Sequence, residues 1–113
     1  MTLDKYEKKI GKLDFYKWEK RVSDPTFVYK VLGLTGEAGE VAEKFKKILR
    51  DKGGQMDEAD RQEILKELGD VLWYLVTLAR YLDSNLTEVA NINMKKLTSR
   101  KVRGREKGSG DNR

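Results

Sequence analysis

The chain has no cysteine and no histidine, and a single proline in 113 residues. Without cysteine there is no disulfide framework, no thiol nucleophile and no thiolate metal site. Without histidine there is no imidazole base, no serine–histidine triad and no Cys/His zinc centre. Chemistry must come from carboxylates, lysines, arginines, hydroxyls, amides or a hard metal ion. No apolar run approaches the roughly 18 residues of a membrane span, so no membrane partner is expected. The opening Met1-Thr2-Leu3-Asp4-Lys5 alternates acid and base, unlike a secretory leader. A cytoplasmic protein is expected.

Scarcity of proline suits helices, whose interiors exclude it. The composition is 38% charged and 38% hydrophobic, and a chain this short builds one small core. The net charge of +5 is concentrated at one end. Residues 101–113 hold five basic and two acidic groups, or +3, leaving +2 for the rest. The body is nearly balanced, so a nucleic-acid partner is not expected. The reading is a helical domain over residues 1–103 and a basic, glycine-containing tail over 104–113.

Periodicity and punctuation predict four helices. The first covers residues 2–21, with Leu3, Tyr6, Ile10 and Leu13 on one face. The second covers 25–50, opened by Asp24 as a cap and Pro25 at the first helical position. Its apolar seam is Val31, Leu34, Ala38, Val41, Phe45 and Ile48, in steps of three and four. The third covers 58–83, capped by Asp57, with a stripe of Ile64, Leu68, Val71, Leu75, Leu78 and Leu82. Residues 71–79 are apolar nearly all round, which demands cover on several sides. A second subunit is expected to supply part of it. The fourth runs from Asn85, with Glu88 three residues on as in a capping box, to about residue 101. The fold class is all-α, an antiparallel helix bundle completed by oligomerisation.

Six acidic pairs stand three residues apart, where about three arise by chance at this composition, so most mark solvated helix faces. Two share the pattern Glu-x-Gly-acid-Val: Glu37-Ala38-Gly39-Glu40-Val41 and Glu67-Leu68-Gly69-Asp70-Val71. Each carries a glycine inside a helix, at a cost of about 1 kcal/mol relative to alanine. Glu37 and Glu67 each lie about 40° around the helix from the valine of their motif. All four carboxylates should border the bundle interior, with the glycines admitting a backbone or a ligand. Converging carboxylates repel one another and require a positive partner. Two partners are open: an ion-pair network through Lys44 and Lys47, or a hard divalent cation such as Mg²⁺.

At these residues the chain resembles the MazG-like family of all-α nucleoside triphosphate pyrophosphohydrolases. The likeness rests on Glu37-x-x-Glu40 and Glu67-x-x-Asp70 within Gly33-Leu34-Thr35-Gly36-Glu37 and Glu67-Leu68-Gly69-Asp70-Val71-Leu72-Trp73-Tyr74-Leu75. It extends to Asn93-x-x-Lys96-Leu97-x-x-Arg100 and to the ending Gly108-Ser109-Gly110-Asp111-Asn112-Arg113, and spans about residues 27–113. The resemblance implies cleavage of a (d)NTP between the α and β phosphates, giving (d)NMP and pyrophosphate, in dimers or tetramers. It implies Glu37, Glu40, Glu67 and Asp70 as catalytic metal ligands for Mg²⁺, with Mn²⁺ as a substitute.

That reaction assigns further candidates. Lys47, Lys96 and Arg100 would neutralise the leaving group. Asn93 suits a ribose or a base edge. Trp73 and Tyr74 would stack on a base, or else belong to the core; Trp18 is open in the same way. Glu63, one turn before Glu67, would assist the metal ligands or carry only surface charge. Asp111, Asn112 and Arg113 would fold back on the site or form a solubilising end. The alternative functions are a helical nucleic-acid-binding module and a non-enzymatic adaptor, neither of which needs a metal.

Overall fold

A computed structural model describes residues 1–14, 16–104 and 107–111. Among them are four helices and no strand: α1 (Leu3–Leu13), α2 (Pro25–Lys52), α3 (Glu58–Tyr81) and α4 (Leu86–Val102). None is long and apolar enough to cross a membrane.

Side chains written in the sequence close the helix starts. The Asp24 carboxylate accepts the Thr26 N–H at 2.8 Å ahead of Pro25. Asp57 and Asp60 form a reciprocal capping box at 2.8 and 3.1 Å. Asn85 Oδ1 accepts from Glu88 N–H at 2.8 Å, and Glu7 of α1 accepts from Leu86 N–H at 2.6 Å. α2 stops at Gly53, whose φ of 59° is the left-handed conformation of a helix C-terminus.

α1 ends eight residues before the predicted Arg21. Asp14 leaves the helix with φ −84° and ψ 92°. Its carboxylate turns inward to accept from Lys30, Arg80 and Tyr81. A buried carboxylate needs such donors, and this tertiary demand overrides the local helical pattern. The segment after it carries Trp18 into the core. The Trp18 indole stacks on Tyr81 at 4.5 Å between centroids and meets Phe27 edge-on.

α2 and α3 are antiparallel, joined through residues 53–57, and form the main interface; α1 packs on α3, and α4 touches α3 sparingly. Among the described residues the buried apolar set is small: Ile10, Phe27, Ile48, Ile64, Val76, Ala79 and Tyr81. The predicted α2 seam is split. Ile48 is buried and Leu34 and Val41 are half-buried, whereas Val31, Ala38 and Phe45 are exposed. A second α2 stripe, Val31, Thr35, Ala38, Ala42, Phe45 and Leu49, is exposed throughout, as are Leu68 and Leu75 of α3 and Leu82 just after it. The radius of gyration is 17.1 Å, against about 13 Å for a compact chain near this length. One copy leaves much of its apolar surface open.

Candidate metal centre

Glu37 comes from α2, and Glu67 and Asp70 come from α3. One carboxylate oxygen of each lies within 4.8 Å of the others. Glu37 and Glu67 are half-buried and Asp70 is exposed. Glu40, one turn along α2 from Glu37, is exposed and stands outside this group of three. Its charge still reaches the cluster. Lost solvation first, then Asp70, Glu67 and Glu40, push the Glu37 carboxyl above its ordinary value. The field extends to α1, where burial and then the Asp70 charge raise the Tyr6 hydroxyl.

Lys44 is the one protein cation ion-paired with the group, its Nζ 3.7 Å from Glu67 Oε1 among the described residues. Of the predicted lysine network only the Lys44 contact on Glu67 is present among the described residues, and acid-on-acid repulsion at Glu37 remains. A donor set made wholly of carboxylate oxygens fits a hard divalent cation.

A cleft of about 180 Å³ lies farther along the same two helices, lined by Lys44, Lys47, Ile48, Asp51, Lys52, Asp60 and Glu63. Lys52 is held by Asp57 and Asp60 at 2.9 and 2.8 Å. Glu63 pairs with Lys66 at 2.7 Å, which holds its carboxyl below the ordinary value. Lys47 lies in the field of Glu43 and Asp51.

The other candidates are placed elsewhere. Trp73 and Tyr74 are half-buried. The Trp73 ring lies 5.3 Å from Lys30 Nζ, and the Tyr74 ring lies against the α2 backbone at Gly33. On α4, Asn93 is exposed. Lys96 Nζ meets Asp111 Oδ1 at 2.9 Å, and buried Arg100 donates Nη2 to Asp111 Oδ1 and Gly110 O at 3.2 Å. Both cations hold the Asp111 carboxyl below its ordinary value. The α4 bases thus engage the returning tail. Arg100 Nε is buried with no acceptor among the described residues. Asn112 and Arg113 lie outside the described residues.

Sequence reasoning missed Asp14, Lys30 and the approach of Tyr6 to Asp70. A signal existed for the first two. Asp14 stands four residues after Ile10, and Lys30 four before Leu34, each a charge in the register of an apolar stripe.

The model of the MazG nucleotide pyrophosphohydrolase domain matches residues 29–103, and the chain belongs to this family. It is 54% identical over 85 residues to the Gene 37 protein of Mycobacterium phage L5, a match covering 75% of each chain. No solved structure matches it. α1 and the first residues of α2 fall outside the segment matched by the family model.

Proposed function

We propose that the protein is a Mg²⁺-dependent pyrophosphohydrolase, with Mn²⁺ as a substitute, that converts a (d)NTP and water to (d)NMP and pyrophosphate. The convergence of Glu37, Glu67 and Asp70 in a MazG-family chain carries this reading. Glu40 joins them by turning in from its exposed position one turn away. When bound, the divalent ion neutralises phosphoryl oxygens and acidifies water. The chain's own residues do the remainder. Lys47, Lys96 and Arg100 draw in the phosphates and offset the charge of the departing pyrophosphate. A carboxylate of the cluster takes the proton from the attacking water, since the chain has no imidazole. Asn93 reads the ribose or base, while Trp73 and Tyr74 serve packing. The active form is a homodimer or homotetramer, supported by the open apolar faces of α2 and α3, acting in the cytoplasm to clear nucleotides from the pool.

The test is a panel of nucleoside triphosphates with and without Mg²⁺, separating pyrophosphate from phosphate. Metal-dependent pyrophosphate with the monophosphate is expected. Phosphate alone, or no turnover on any member, overturns the proposal.

A further inference from the structure

Gly33 and Tyr74 form a notch between α2 and α3. A Cβ added at Gly33 would stand 2.2 Å from Tyr74 Cε1 and 2.3 Å from Cζ, so the ring occupies the space a side chain would need. Gly36, Gly39 and Gly69 have nothing within 4 Å of such a Cβ. Neither motif glycine is therefore the point of close approach within the chain; Gly33 is.

The notch has a fixed relation to the carboxylates. Gly33 lies four residues before Glu37 on α2, and Tyr74 lies four residues after Asp70 on α3. In antiparallel helices, one turn on from Gly33 faces one turn back from Tyr74. The register that seats the ring therefore sets Glu37 opposite Asp70, with Glu67 one turn back on α3 completing the group. A slip of one turn is about 5.4 Å, more than the 4.8 Å that spans the three acids. Like charges favour such a slip, and a ring lodged against bare backbone resists it.

We infer that Tyr74, seated in the Gly33 notch, is a positioning residue that fixes the register of α2 against α3 and so assembles the carboxylate cluster. The ring does this, not the hydroxyl. The inference uses the metal reading for one readout only, and the other is independent of it.

The experiment compares Tyr74→Phe, Tyr74→Ala and Gly33→Ala in the full chain, with Val76→Ala as a core control. Because the chain has no cysteine, spin labels on Lys46→Cys and Lys66→Cys report the helix register directly. Mn²⁺ affinity is measured by titration of free Mn²⁺. Tyr74→Phe should keep the label distance and the affinity. Tyr74→Ala and Gly33→Ala should shift or broaden the distance and lose roughly tenfold or more in Mn²⁺ affinity, as loss of a supporting residue does. Val76→Ala should lower the melting temperature and move neither readout. Should Tyr74→Ala fail to fold, Tyr74→Leu and Gly33→Ala carry the same expectation. An unchanged distance in every ring-displacing variant, or equal loss in Tyr74→Phe, overturns the inference. If the distance shifts but the parent binds no Mn²⁺, the register role stands and the metal reading falls.

Discussion

Asp14 and Lys30 meet as a closed ion pair, Oδ1 to Nζ 3.2 Å, with each side chain 1% exposed. The second Asp14 oxygen takes the Tyr81 hydroxyl at 3.1 Å and Arg80 Nη1 at 3.3 Å. Burial first, and Asp14 beside it, push the Tyr81 hydroxyl far above its ordinary value. The Lys30 ammonium also faces the rings of Tyr16, Trp73, Tyr29 and Tyr74 at 4.7 to 5.8 Å, which adds cation–π attraction. This knot ties the end of α1 to α2 and α3.

Lys30→Met should therefore be among the most damaging single changes. It removes the fully buried cation from Asp14 and leaves only Tyr81 and the half-exposed Arg80 on the carboxylate, a broken buried pair that costs about 3–5 kcal/mol. The double variant Asp14→Asn, Lys30→Met should cost less than the two singles together. Urea unfolding of the four proteins measures this. A Lys30→Met protein as stable as the parent would contradict the knot.

Glu37→Gln should stabilise the metal-free protein at neutral pH. Folding raises the Glu37 carboxyl above its ordinary value, through lost solvation and then the neighbouring acids. A group that binds its proton more tightly when folded makes stability fall as pH rises from the unfolded value through the folded one. The glutamine escapes that loss, so the variant melts above the parent at pH 7, and the gap closes below about pH 4. Mg²⁺ should raise the parent's melt more than the variant's. A variant that melts below the parent at pH 7 would contradict the repulsion.

Asp111→Asn should release Lys96 and Arg100 for another anion. Calorimetric titration with inorganic pyrophosphate, without divalent metal, should show binding tighter by up to about fivefold, the scale of an exposed charge contact. Unchanged or weaker binding would show that the tail does not compete for these cations.

Phe45→Glu should separate assembly from folding. The side chain is exposed within one copy, so the change should cost the monomer little. Light scattering should find the parent above 13.1 kDa and the variant shifted toward the monomer mass. Equal masses for the two proteins would remove the α2 stripe from the interface.

Features set by local chemistry were legible before the structure. Asp24-Pro25, Asp57 and Asn85 start helices where their side chains reach free N–H groups, and the motif spacing aligned Glu37 with Glu67 and Asp70. Features set by a distant partner were not. The register of Asp14 with Ile10 marks a charge on an apolar stripe, but not the partners on α2 and α3 that draw its carboxylate in. Gly39 and Gly69 looked equally suited to close approach, because which glycine is filled depends on the ring that faces it. The half-open seam of α2 has the same origin, since apolar spacing does not say which positions α3 of the same chain reaches.

The short link over residues 53–57 bears on the order of folding. All four acids lie on the one hairpin it closes. Contacts across a short loop cost little closure entropy and form early. Asp14 reaches Arg80 and Tyr81 across 66 and 67 residues, a costlier closure than the α2–α3 hairpin, so Glu37 and Asp70 are expected to meet before Asp14 joins α3. Relief of their repulsion, by Glu37→Gln or by Mg²⁺, should appear chiefly as faster refolding, with the unfolding rate nearly unchanged.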